Sequence, residues 1–361
     1  MKTSLFKAKV SIKGKRYSRS LRISTYDINI VLEDYGKNYN EYVEPAIIYY
    51  SEDNSALSYK LSVINVIGMG EYLRGILGGE RKKGAKRYAG LVVLDENIEF
   101  DGRIVCIKLW NIDSIIKIPS SKYYSHLYNL LYADSVHPFY ISYTYKILLS
   151  DRGARDLRNF IEEIISSNED SLSKTDREKL KTLIKEIQQP SKLSTLVKGR
   201  YYVVFRSKST FSASTFIPDH DRYLIYSNLG LIDCGFEKDK AYYYTAVLNY
   251  LAYKVILLKR SFVRDQYLRP LIAIVESGLT WNNILSRDSE LVHEIISLSM
   301  ELHDYTSREY RSKDYKLEKQ IFRDLMVQPI FTKLVKRLDN YVKENSMEAR
   351  LINALSWVSE D

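Results

Sequence analysis

Lys198–Trp281 reads KGRYYVVFRSKSTFSASTFIPDHDRYLIYSNLGLIDCGFEKDKAYYYTAVLNYLAYKVILLKRSFVRDQYLRPLIAIVESGLTW, and its pattern changes halfway. Before Lys240 the apolar residues come in short β-branched and aromatic runs broken by polar turns, such as Tyr201–Phe205 and Tyr223–Tyr226, which is the pattern of strands. After it, Ala241–Arg260 contains neither Gly nor Pro. Val247, Leu248, Leu251, Ala252, Val255 and Ile256 there share one broad helical face. The stretch therefore predicts a small sheet followed by a mostly buried helix.

Its residues resemble a known family. RYYVVFR (Arg200–Arg206), a strand at Ile217–Pro218, AYYYTAVLNYLAYKV and RDQYLRPL are similar to the target-recognition region of DNA adenine methyltransferases of the type I and fused restriction-modification classes. The helix core of that family is matched by Ala246, Val247, Leu248 and Asn249, and departs at Tyr250, where the family has Ser. Glu290–Asp304 resembles the segment that follows in the family, so the likeness spans residues 196–305. It implies sequence-specific recognition of double-stranded DNA, with loops of this region entering the grooves. A methyltransferase would also need an Asn-Pro-Pro-Tyr loop to grip an extruded base and a glycine loop for the methyl donor. None of the seven prolines is followed by another. The resemblance thus implies a recognising part, not catalytic by itself and without a cofactor, whose methyltransferase or nuclease partner is a separate subunit.

Composition is compatible with such a role. Lys and Arg number 54 against 45 Asp and Glu, a net charge of +9 that favours a polyanionic partner. Tyr numbers 31 against 11 Phe and 3 Trp, giving many rings that pack on one side and hydrogen-bond on the other. Two cysteines, Cys106 and Cys234, exclude a disulfide framework or a cysteine-based zinc site. The N-terminus lacks the apolar run of a secretory signal. The most apolar window, Tyr242–Leu258, contains Asn249 and Lys254, so it reads as a buried helix and not a membrane span. A soluble, cytoplasmic protein is the expectation.

Residues 1–25 carry eight Lys or Arg and no acid. Phe6, Ala8, Val10 and Ile12 alternate with Lys7, Lys9, Ser11 and Lys13, and after Gly14 the pattern resumes at Lys15 and Arg16, which predicts a β-hairpin. Its basic face either lies along a phosphate backbone or is a solvated edge guarded by lysine. Gly68, Gly70, Gly75, Gly78 and Gly79 lack the third fingerprint glycine, since position 73 is Leu, so no dinucleotide loop is read. Arg81, Lys82, Lys83, Lys86 and Arg87 follow them as a basic loop, suited to phosphates or merely solvated. Leu91–Trp110 reads as two strands joined at Asp101-Gly102. A nuclease reading of that hairpin fails because Cys106 stands where a metal-binding carboxylate is required.

After Pro119 the chain is expected to turn helical. Leu157, Phe160, Ile161, Ile164 and Ile165 form one stripe. Leu180, Leu183, Ile184 and Ile187 form another, opened by a capping box at Thr175 and Glu178. This pair is a helical hairpin, either a spacer or simple packing, and 188–194 is a linker. Stripes at Leu291, Ile295, Leu298 and Leu302 and at Ile330, Leu334 and Leu338 make the C-terminal part helical, with a polar loop or exposed helix over Thr306–Lys316. Two more basic loci are candidate DNA contacts. One holds Arg206 and Lys208. The other holds Lys254, Lys259, Arg260, Arg264 and Arg269 with Gln266, where Arg and Gln suit base edges and Lys suits phosphate. Pro218-Asp219-His220-Asp221 reads as a turn between strands, because neighbouring side chains on a turn point apart and rarely chelate one ion.

The fold class expected is α+β: a β-rich basic module over 1–119, a helical insert over 120–190, a target-recognition-like β/α module over 191–285, and a helical C-terminus over 286–361. The leading function is double-stranded DNA recognition in a restriction-modification or related defence system. The alternatives are a non-catalytic subunit of an RNA-guided nucleoprotein complex and a divergent nuclease.

Overall fold

The computed structural model describes, with side chains, residues 90–99, 102–187, 195–206, 212–225, 229–257, 273–274, 277–310, 321–352 and 355. It gives backbone alone for 3–12, 15–24, 32–33, 46–52, 55–61, 260–261, 318–320, 353–354 and 359–360. The glycine series and the linker at 188–194 lie outside the described residues.

In chain order the strands are β1 (Thr3–Ile12), β2 (Lys15–Ser24), β3 (Leu32–Glu33), β4 (Ala46–Glu52), β5 (Ser55–Leu61), β6 (Leu91–Glu99), β7 (Ile104–Leu109) and β8 (Ile116–Pro119). Helix α1 (Ser120–His126) follows, then β9 (Leu127–Leu131), a 3-10 turn at Ala133–Ser135, β10 (Val136–His137), β11 (Tyr140–Ile141) and β12 (Tyr145–Leu148). Next come α2 (Ala154–Ser167), α3 (Lys174–Glu186), β13 (Tyr202–Arg206), β14 (Ala213–Phe216), β15 (Tyr223–Ile225), β16 (Leu229–Asp233) and α4 (Lys238–Leu257). The chain closes with β17 (Arg260–Ser261), α5 (Trp281–Arg287), α6 (Ser289–Glu309), α7 (Glu318–Met326), α8 (Pro329–Glu344), α9 (Glu348–Ala354) and β18 (Ser359–Glu360).

The fold is α+β and layered, and strand alternation builds the layers. A six-stranded sheet runs β15-β9-β12-β6-β7-β8, antiparallel except for the β15–β9 pair. A three-stranded antiparallel sheet runs β14-β13-β16. On one face of the larger sheet, Leu91, Val93, Val105, Ile107 and Ile118 pack with Leu157, Phe160, Ile161 and Leu180 of the α2–α3 hairpin. Val92, Leu130, Ile147 and Leu224 point the other way and meet Tyr202, Val204 and Leu231 of the smaller sheet. The intervening Val203, Phe205 and Ile232 face a helical layer of α4, α6 and α8. β13 is buried on both faces, which is why it reads as an unbroken apolar run. Gly230 is required beside it: a Cβ there would stand 2.1 Å from Cζ of the Phe205 ring.

Helix α4 is buried from Ala241 nearly to its end, as its mostly apolar sequence demands. Asn249 is the polar exception. Its Oδ1 accepts from the Ala213 backbone N–H at 2.9 Å and its Nδ2 donates to the Ala213 carbonyl at 2.8 Å, tying the helix to the free edge of β14. Tyr250, which replaces the family's serine, donates to Asp339 Oδ1 of α8 at 2.6 Å. Among the described residues no helix is long and apolar enough to cross a membrane.

Several elements differ from expectation. The stretch after Pro119 is helical only in α1 and again from Ala154. Between them β9 and β12 join the large sheet, because Tyr128 and Leu130 recur with the period of a strand and bury against β13 and β16. Helix α3 is capped by Ser173, whose hydroxyl accepts from the Asp176 N–H at 3.1 Å, and not by Thr175. β14 ends at Phe216, so Ile217–Pro218 is outside the strand. Helix α6 continues to Glu309. Thr306–Glu309 thus take the helical one of the two readings for that segment, with the Thr306 hydroxyl within hydrogen-bond distance of the Phe139 and Leu302 carbonyls.

Candidate nucleic-acid interface

Lys7, Lys9 and Arg16 fall on the β1–β2 ribbon. Lys7 opposes Ser20, Lys9 opposes Ser18 and Ser11 opposes Arg16. These rungs have one parity and share one face of the ribbon, together with Leu5 and Arg22. Lys13, Arg81, Lys82, Lys83, Lys86, Arg87, Lys208, Lys259, Arg264, Gln266 and Arg269 lie outside the described residues, and Arg260 is described only as backbone pairing with Glu360.

Arg206, at the end of β13, is the expected contact residue that the structure describes fully. Its N–H donates to the Ser212 carbonyl at 3.0 Å, so it stands where the strand passes into residues 207–211. Burial pulls its guanidinium down to about 10, against the nearby Asp134 carboxylate and the Tyr132 and Tyr143 hydroxyls, which favour the charge. His137 sits beside it, with Nε2 3.2 Å from the Ser142 hydroxyl. Burial and the charge of Arg206 push this imidazole down to about 4, so it is neutral at physiological pH. Tyr145 donates to Asp134 at 2.9 Å, and its hydroxyl lies 3.2 Å from that of Tyr143. Arg206 is thus a largely buried cation beside Asp134, Tyr132 and Tyr143.

Other basic residues of this region hold the fold together. Arg200 grips both carboxylate oxygens of Asp233 at 2.9 Å and lies over Phe236. Arg222 donates to the Tyr124 and Ser125 carbonyls near the end of α1 and covers the Tyr128 ring. Lys254 is paired with Asp339 at 2.6 Å, which takes it out of the basic locus that follows α4. His220 behaves as a turn residue. Its Nδ1 accepts from the Arg222 N–H at 3.1 Å, and its Nε2 lies 3.0 Å from Asn129 Nδ2. Among the described residues no group of His, Cys, Asp or Glu could hold a metal ion.

Beyond Tyr143 lies a groove of about 440 Å³, lined among others by Phe139, Tyr140, Tyr143, Phe216, Tyr242 and His303. One border is the β10–β11 turn, where His137 pairs with Tyr140 across Pro138-Phe139. Phe139 takes φ 58°, a left-handed conformation that costs a bulky residue energy. It is held there by its N–H donating to the Ala213 carbonyl at 2.9 Å and by the Thr306 hydroxyl on its own carbonyl. Sequence reading passed over this groove. Its walls come from four separate elements, and the local trace was only a Pro-Phe turn followed by closely spaced tyrosines.

No family model matches the chain, and no curated protein matches it. Among solved structures it is similar to the type IIL restriction-modification enzyme MmeI in complex with DNA, with TM-score 0.33 and 10% identity over 85% of this chain. The chain spans 40% of the length of that enzyme chain. A likeness of that degree does not establish a shared fold.

Proposed function

We propose that this chain recognises double-stranded DNA sequence-specifically in a restriction-modification or related defence system, and that methyl transfer or cleavage belongs to a separate subunit. The observation that carries this reading is the β1–β2 ribbon, whose register gathers Lys7, Lys9, Arg16 and Arg22 on one face in a chain of net charge +9. The major groove of DNA admits a two-stranded ribbon, and cations along one face neutralise phosphates and gain from the release of condensed counterions. In this proposal the ribbon and the basic residues Arg81, Lys82, Lys83, Lys86 and Arg87 hold phosphates. Bases are read from Arg206 and Lys208 and from the segment bearing Lys259, Arg260, Arg264, Gln266 and Arg269.

Selection of the purified chain against a random duplex pool, at low and moderate salt and beside an RNA pool, tests it. The expected result is enrichment of a short DNA motif, with affinity falling by a power of the salt concentration close to the number of phosphates contacted. Equal affinity for every duplex with a shallow salt slope would overturn the reading, and preference for RNA would move the chain to a nucleoprotein complex.

A further inference from the structure

The groove beyond Arg206 has properties that paired DNA does not need. Its wall is aromatic, with Tyr140, Tyr143, Phe216 and Tyr242 around it, and Tyr143 is 45% exposed. His303 on the lining is neutral: burial pushes it down to about 3, and the Thr215 backbone N–H, 3.4 Å away, donates to Nε2. The ring proton therefore sits on Nδ1 of a residue that lines the groove. The Phe139 and Tyr242 rings meet the imidazole edge to face, at 5.7 and 5.0 Å, and hold it in place. Charge is kept to the margins. Lys238 lies 5.8 Å from the centre of the Tyr242 ring, Arg206 neighbours Tyr143, and among the described residues Asp304 lies close to Tyr242 and Asp134 close to Arg206.

We propose that this groove takes one unstacked nucleobase of the bound nucleic acid, laid against the aromatic wall with an acceptor facing the imidazole and its phosphates toward the marginal cations. The proposal rests on the nucleic-acid reading above. An aromatic wall suits a base because every base has a π-face to stack, and a neutral donor suits it because bases are uncharged at neutral pH. The volume exceeds that of one base and leaves room for its sugar.

The test uses the full chain with a short duplex bearing one bulged 2-aminopurine, and the same duplex with that base paired. The bulged duplex is expected to bind about tenfold tighter, the scale of one base–aromatic stack, with 2-aminopurine fluorescence quenched on binding. Tyr143→Ala, at a half-exposed position whose melting temperature is checked in parallel, is expected to remove the advantage, and Tyr143→Phe to keep it. Equal affinity for the two duplexes without quenching, or an advantage that survives Tyr143→Ala, would overturn the groove assignment and leave DNA binding standing. Failure of both duplexes to bind at low salt would overturn the DNA reading and the groove with it.

Discussion

Replacing Asn249 with alanine should loosen the joint between α4 and the small sheet. The side chain is fully buried and pairs with both backbone groups of Ala213. The Ala213 carbonyl keeps a second donor in the Phe139 N–H, but the Ala213 N–H loses its carboxamide acceptor inside the core. An orphaned buried donor costs about 1–3 kcal/mol, and the lost packing adds about 1 kcal/mol. The variant should therefore be destabilised by about 2–4 kcal/mol in urea or guanidinium titration, a fall of roughly 3–5 °C in melting temperature for a chain of this size. Asn249→Asp separates the two hydrogen bonds. One carboxylate oxygen can still accept from the N–H, but the other meets the Ala213 carbonyl with no proton to share. Only the protonated acid fits, so its pKa is raised in the folded state, and the variant should recover stability relative to Asn249→Ala as pH falls toward that raised value. A loss under about 0.5 kcal/mol for Asn249→Ala would refute the pairing as a stabilising joint. Unchanged stability with altered DNA selection would make Asn249 a reader of bases instead of a pin.

Tyr250→Phe removes a hydrogen bond to Asp339 and should cost about 1–2 kcal/mol. A double-mutant cycle with Asp339→Ala should show coupling, and strict additivity would argue against the bond. Asp176 accepts from the Asp113 and Ser114 N–H groups and the Ser114 hydroxyl, and these hydrogen bonds outweigh the opposing effect of burial to hold its carboxyl below the usual range. Its contribution is present above the ordinary aspartate value near 3.9 and is lost as pH falls. Asp176→Asn should thus cost about 2 kcal/mol at neutral pH, by analogy with hydrogen bonds to charged groups, and the difference from wild type should shrink in melts below about pH 4. His137 and His303 are pushed down to about 4 and about 3 by burial, so below roughly pH 6.5 only the unfolded chain takes up these two protons. Wild-type melting temperature should fall from pH 7 to pH 5, and His137→Gln should flatten that slope. An unchanged slope would mean that the imidazole is accessible to protons in the folded chain.

Much of the architecture was written locally. The apolar run Tyr202–Phe205, the hydrophobic surface of Ala241–Val255 and the stripes of α2, α3, α6 and α8 required no knowledge of neighbours, since burial imposes the period of each element on its own sequence. The α+β class followed from the order of those periods. What local pattern misjudged were segments whose state depends on a distant partner. Leu127–Leu131 is a strand because β12 and β15 flank it.

Charge shows the same division. The excess of Lys and Arg and the alternation of Lys7 and Lys9 are properties of the sequence, but which cations remain for a ligand is decided by the partners folding brings to them. Lys254, Arg200 and Arg222 are engaged by Asp339, Asp233 and the carbonyls near the end of α1. The groove lined by Tyr143, Tyr242 and His303 exists only in three dimensions, because its lining is drawn from residues more than a hundred positions apart. Sequence by itself determined the elements whose period burial imposes locally, and the sign of the charge. The tertiary structure alone decided which polar groups meet, because hydrogen bonds and ring contacts are set by distance in space.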